Sequence, residues 1–291
     1  MTLPSSGTIT FSEIDVEIGN AANALISLND DRVRYTVNVA SVRIPESIIA
    51  TSDLYGKSWR FSILTSGLAG GSLDILSTCL TNGWDGQRPV DFTLGSNTYS
   101  SSVGSPALVV SGTFPNGFTL TILPNVYVNG AGGVGGAGGN GAAGAAGGVG
   151  GTGISFDAYV GPQANITNNG VIAGGGGGGG GGGFDSYSDK HGTTNYYGGG
   201  GGGGAPYGLG GYSPAFSGNT ATFLLPGDGK RGTRLSEFGG NGAAWGNTGT
   251  SGTTAGPYPG GAGGAGGVAT TGTISANVLW LNVGTVYGTI N

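Results

Sequence analysis

The sequence predicts an all-β N-terminal region, residues 1–129, followed by a glycine-rich bundle of extended threefold helices, residues 130–291, with little or no α-helix. Three observations carry this. The 291 residues include 69 glycines, against about 7% in an average chain. Glycine recurs at 132, 135, 138, 141, 144, 147, 150 and 153, an unbroken period of three. Charge divides at the same boundary: residues 1–129 hold 6 of the 10 Lys+Arg and 10 of the 15 Asp+Glu.

In the first region, alternation of apolar and polar residues marks strands. Residues 33–39 alternate within RVRYTVNV, after the turn-forming Asn29-Asp30-Asp31. WRFSIL at 59–64, residues 108–110 and FTLTIL at 118–123 are further strand candidates, separated by Gly, Pro, Asn and Ser. Residues 12–19 form a candidate short helix, with Ser12 as N-cap and Gly19 as stop. The single cysteine, Cys79, reads as a small buried hydrophobe.

From residue 130 the chain becomes glycine tracts joined by richer segments. Period three suits neither an α-helix nor a strand. It suits an extended helix with three residues per turn, at about 3.1 Å per residue. With glycine along one edge, a neighbouring helix approaches closely enough for backbone N–H and C=O groups to pair between helices. Ordering glycine costs more backbone entropy than ordering any other residue, so a lone tract stays unfolded and several must pack together. At least five helices are expected. The tract at 130–153 is expected to fold back near Asn140-Gly141. Further tracts are the ten glycines at 174–183, the seven at 198–204, GGAGGAGG at 260–267, and the looser Gly246, Gly249 and Gly252. Collagen is excluded because none of the 12 prolines lies in the triplets. Disorder usually comes with low hydrophobicity and high charge, whereas here 37% of residues are hydrophobic and 9% charged. Residues 154–173 and 278–286 alternate and read as short strands.

The segments FDSYSDKHGTTNYY (184–197), APYGLGGYSPAF (205–216) and AAWGNTGTSGTTAGPYP (243–259) mix large rings with small hydrogen bonders, as binding loops do. Phe184, Tyr187, His191, Tyr196, Tyr197, Tyr207, Tyr212, Phe216, Trp245 and Tyr258 are the candidate contact residues. The three loops are expected together at the free end of the bundle.

Catalytic chemistry is not indicated. His191, the only histidine, could be matched with Ser186, Ser188 and Asp189 only within one loop. A solvated histidine is the better reading, since a triad needs a rigid geometry. One Cys and one His supply no zinc site, and Asp185 and Asp189 lack the calcium-loop spacing. GDGKRG, around Asp228 and Lys230-Arg231, reads as a small solvated turn. No metal and no cofactor are expected. Net charge is -5 with no basic cluster, which argues against nucleic acid. No secretory signal and no apolar stretch of about 20 residues is recognisable.

The GGxGGxGG tracts, the run NITNNGVIAGGGGGGGGGG, the aromatic loops and the ending VGTVYGTIN resemble the glycine-rich adhesins at the distal tips of long tail fibres in T-even-like phages. LPSSGTITFSEI resembles the opening of many phage tail proteins, and residues 85–129 resemble the stem before such tracts. The resemblance implies polyglycine II helices and a place at the tip of a virion's tail fibre. It also implies attachment to a tail-fibre protein through the N-terminal region, and distal loops that contact a host outer-membrane protein or lipopolysaccharide. Residues 1–50 depart from those adhesins, so a single cap and a trimer both stay open. Two other classes compete. An ice-binding protein would present a flat small-residue face, which the Tyr- and Trp-bearing loops do not make. A glycan-degrading tailspike needs paired carboxylates about 5 to 9.5 Å apart. After residue 129 there are only Asp157, Asp185, Asp189, Asp228 and Glu237.

Overall fold

Apolar residues at every second position of 90–94, 118–122 and 164–166 turn one face of each segment inward. In the computed structural model these segments become rungs of one parallel coil. The structure describes Leu3, Val33 and residues 9–22, 59–234, 237–272 and 278–291. The strand expected at 33–39 lies outside these, apart from Val33. Strands predominate: β1 Phe61–Thr65, β2 Leu73–Asp74, β3 Val90–Leu94, β4 Thr98–Tyr99, β5 Leu108–Thr113, β6 Phe118–Ile122, β7 Tyr127–Asn129, β8 Ile154–Val160, β9 Ala164–Asn168, β10 Val171–Ala173, β11 Asp185–Asp189, β12 Gly192–Tyr196, β13 Thr270–Thr271, β14 Val278–Asn282 and β15 Thr285–Tyr287. The described helices are α1 Phe11–Glu17 and α2 Ile75–Thr81.

Helix α1 begins two residues earlier than expected. Thr10, not Ser12, is the N-cap: its hydroxyl accepts from Glu13 N, and Glu13 Oε2 accepts from Thr10 N at 2.7 Å. That Thr-x-x-Glu box satisfies two otherwise orphaned donors. Among the described residues of the first region helix α2, like α1, is a short addition to strands, in keeping with the little α-helix expected. Asp74 caps it by accepting from Ser77 N at 2.7 Å, and Ile75 and Cys79, one turn apart, are buried. Burial pushes the Cys79 thiol up to about 12, so it packs as the expected inert hydrophobe.

The coil has three faces. One is β1-β3-β6-β9-β14, the second β4-β7-β10-β15, the third β2-β5-β8-β13, and all their pairings are parallel. The chain visits the faces in turn, as in β3 to β4 to β5 and β6 to β7 to β8. Equivalent residues therefore stack: Ile63, Phe92, Leu120, Ile166 and Trp280 lie in register on successive rungs. The middle three are fully buried, each stabilising by about 2 kcal/mol.

Both glycine insertions leave from the corner between the second and third faces. One runs from the end of β7 to the start of β8, the other from the end of β10 to the start of β13. The β7–β10 ladder does not stop there. Gly130 N donates to Ala173 O, then Gly133, Gly136 and Gly139 donate to Gly176, Gly179 and Gly182 at 2.7–2.9 Å. A period of two becomes a period of three without a break. Among the described residues ten extended segments are linked in this way: 130–139, 144–153, 174–183, 198–204, 208–212, 218–221, 227–230, 239–243, 249–253 and 260–268. The first pair folds back at Gly141, whose φ is 70°.

Composition follows enclosure. Segment 174–183 donates to 144–153, to 198–205 and to 247–253, and accepts from 130–139, 240–246 and 261–267. Six neighbours leave no outward edge, so every residue is glycine. Segment 198–204 is likewise surrounded, bonding to 130–139, 174–183, 208–211, 216–219, 227–230 and 237–240. At Gly178 an added Cβ would run into Val134 O, and at Gly201 into Gly179 O. Peripheral segments keep one open edge, where Val134, Ala137 and Val149 are exposed. The core of this half is therefore backbone, with its polar groups paired as burial requires. GDGKRG is corrected by the same bonds: residues 227–230 are an outer-layer segment, with Gly227 N donating to Gly203 O and Lys230 N to Gly200 O.

Candidate functional site

Because successive segments alternate in direction, their turns gather at two ends. At the coil end lie 205–207, 222–226 and 244–247; at the far end lie 140–143, 184–197, 213–217, 231–234, 237–238 and 254–259. The ten candidate residues divide between these ends. Phe184, Tyr187, His191, Tyr196, Tyr197, Tyr212, Phe216 and Tyr258 are brought together at the far end. Tyr207 and Trp245 are not, which corrects the expectation of one shared loop cluster. The short segments 208–212 and 249–253 each reverse the chain inside what read as a single loop.

The coil end is closed by rings. Tyr99, Tyr127 and Tyr287 project from the second coil face. Tyr207 sits 5.1 Å from Tyr99, Phe223 5.7 Å from Tyr127, and Trp245 5.5 Å from Tyr127 and 5.8 Å from Tyr287. Trp245 Nε1 donates to Phe223 O at 3.1 Å. These rings join bundle to coil.

The far end is built differently. Phe184 is buried at its base, with ring centroids 6.0 Å from Tyr197 and 5.7 Å from Tyr258. Above it β11 and β12 form an antiparallel hairpin, paired from Asp185↔Tyr196 to Asp189↔Gly192. Asp189 Oδ1 accepts from His191 N at 2.7 Å and shapes the turn. The histidine is exposed, as expected of a solvated loop residue. Tyr187 and Tyr212 are 57% and 71% exposed, and Phe216 is exposed beside them in the same layer of turns. Ser213 Oγ donates to Gly198 O at 2.6 Å, fixing the turn that carries Phe216.

Two residues that sequence reasoning did not nominate complete the hairpin's root. Arg234 Nη1 lies 3.1 Å from Asp185 Oδ2, and its guanidinium sits 4.1 Å from the centre of the Tyr196 ring. Glu237 is buried, and its Oε2 accepts from Arg234 N at 3.1 Å. The signal available was the density of cations at Lys230, Arg231 and Arg234 in a tract-rich half that has one other. With Asp185 held by Arg234 and Glu237 buried, neither carboxylate faces solvent freely. Among the described residues no group of three or more His, Cys, Asp or Glu could hold a metal ion.

Burial, reinforced by the Asp185 charge, holds the Glu237 carboxyl above the usual carboxylate range, against the opposing bond from Arg234. A raised carboxyl binds more protons folded than unfolded, so stability falls as pH rises from the normal glutamate range through the folded pKa. Glu237→Gln is therefore expected to melt higher than the wild type at neutral pH and to match it below about pH 4. Thermal melts across pH check this; a constant difference at every pH would contradict it.

A family model described as phage tail fibre adhesin Gp38 matches residues 63–291. Among solved structures, the chain is similar to the gp37-gp38 adhesin tip complex of the bacteriophage S16 long tail fibre, at 29% sequence identity and a TM-score of 0.54. The likeness covers 86% of this chain and 90% of that one. None of the curated proteins matches.

Proposed function

The chain belongs to the phage tail fibre adhesin family, matched over residues 63–291, and from that premise we propose how its two ends divide the work of attachment. It is a receptor-binding adhesin of the virion, placed at the distal tip of the tail fibre. The far end of the glycine bundle meets the receptor, a host outer-membrane protein or lipopolysaccharide. Tyr187, His191, Tyr196, Tyr197, Tyr212 and Phe216 form the contact surface, with Phe184 and Tyr258 supporting it from beneath. The single observation behind this is the contrast between ends: the coil-end rings pack against one another in tilted and edge-on contacts, while Tyr187 and Tyr212 stand exposed without a ring partner among the described residues. Exposed rings in a cluster favour a partner. Binding needs no chemical step, so no catalytic residue and no cofactor is assigned.

The extended segments are read as polyglycine II helices. Support comes from bonds repeating every third residue and from the close approach that only glycine tolerates. Residues 1–129 are the attachment and stem part. Residues 130–291 are the bundle with its loops, together with the strands that return to close the stem. The S16 structure is a complex of gp37 with gp38; by that likeness a tail-fibre protein is the partner of the N-terminal region here.

Labelled protein added to host cells is expected to saturate and to block phage adsorption. Mutant hosts lacking individual outer-membrane proteins, or carrying truncated lipopolysaccharide, identify the receptor as the one whose loss removes binding. Equal binding to hosts and to resistant non-hosts would overturn the reading.

A further inference from the structure

We infer that Arg234 is a positioning residue that locks the β11–β12 hairpin into its receptor-facing pose, making loop 184–197 and the turn at 231–234 one composite unit. The inference rests on the far-end reading of the receptor surface. Asp185 and Tyr196 are cross-strand partners on the hairpin's root rung. Arg234 reaches both, through an ion pair at 3.1 Å and a ring contact at 4.1 Å. One side chain thus grips both strands at the same level, from a turn almost forty residues further along the chain.

Among the described residues, the hydrogen bonds and ion pairs of residues 186–195 stay within the hairpin. A two-stranded ribbon alone is marginal in water, so its orientation is set at the root. Arg234 is itself held. Its N–H donates to the buried Glu237, while Thr233, its neighbour, exchanges backbone and hydroxyl bonds with Tyr197. The charge on Asp185 and the ring of Tyr196 make different demands, which arginine meets with a planar cation and lysine does not.

Hydrogen exchange and adsorption test this together. Arg234→Ala is expected to speed amide exchange in the paired residues of the hairpin about tenfold, the scale of one exposed ion pair plus one cation–π contact. Exchange in 174–183 and the melting temperature should not change, and adsorption should slow. In hairpin exchange, Tyr196→Phe is expected to match the wild type and Tyr196→Leu to match Arg234→Ala, and the Arg234→Ala/Tyr196→Leu double variant should exchange little faster than either. Unchanged hairpin exchange in Arg234→Ala overturns the clamp, as does equal acceleration in 174–183, which would make Arg234 a support of the bundle. Should Arg234→Ala not fold, the Tyr196 pair decides alone. Normal adsorption by Tyr187→Ala would instead remove the hairpin from the receptor surface, leaving the exchange result to judge the clamp.

Discussion

Gly178→Ala is expected to destroy cooperative folding of the glycine bundle, whereas Ala137→Val, on the neighbouring segment, is expected to leave the melting temperature nearly unchanged. Both add apolar carbon to a tract, so ordinary propensity would favour the first change. Geometry reverses the order. The new Cβ at Gly178 would collide with Val134 O, a backbone atom that cannot rotate away. Moving the segments apart breaks Gly178 N to Gly148 O, Gly148 N to Val134 O and Gly264 N to Gly178 O, and strains the bonds above and below. At about 1 kcal/mol for each bond, plus the penalty for buried groups left unpaired, the loss reaches several of the roughly 5–15 kcal/mol that hold a domain. Ala137 is exposed on the open edge, so valine there meets water. Gly138→Val should resemble Gly178→Ala, since its Cβ would meet Gly198 O. Thermal melts decide the matter: retention of the wild-type transition by Gly178→Ala would refute a core made of backbone.

The same geometry explains how much was legible in the sequence. A glycine edge is written into composition wherever a segment is enclosed, so 132–153, 174–183 and 198–204 stood out. The fold-back of the first tract near Asn140-Gly141 was readable from its length, and the strands at 154–173 and 278–286 from alternation. Segments with a single buried edge leave almost no trace. GNTA at 218–221 and GDGK at 227–230 look like turns, because only one residue in three needs to be glycine and a short run cannot display a period. Missing them had a consequence for the site. The loops read at 205–216 and 243–259 each span an extended segment, 208–212 and 249–253, so reading each as one loop grouped Tyr207 and Trp245, which precede the reversal, with the far-end rings. Helix α2 was hidden for a local reason: its Ser and Thr residues read as strand or turn, and the Asp74 cap is recognisable only once Ile75 and Cys79 are seen to share a face. Arg234 was out of reach of any pattern, since its meaning lies in the Asp185–Tyr196 rung far from it in sequence.

Aromatic substitutions at the two ends are expected to fail in opposite ways. Trp245→Ala removes ring contacts with Tyr127, Phe223 and Tyr287 and the bond from Nε1 to Phe223 O. Tryptophan truncation in a packed site costs about 3 kcal/mol or more, which in a chain of this size lowers the melting temperature by roughly 6–12 °C. Receptor affinity of the protein that remains folded should not change, because this ring is spent on the junction. The double variant Tyr187→Ala/Tyr212→Ala removes no ring–ring contact and should melt as the wild type does. Its loss should appear in adsorption, by about 100-fold or more if both rings act as binding hot spots. The contrast is sharper than either variant alone, since general damage to the fold would move both readouts together. Binding lost in folded Trp245→Ala, or a lowered melting temperature with normal adsorption in the double variant, would exchange the roles of the two ends.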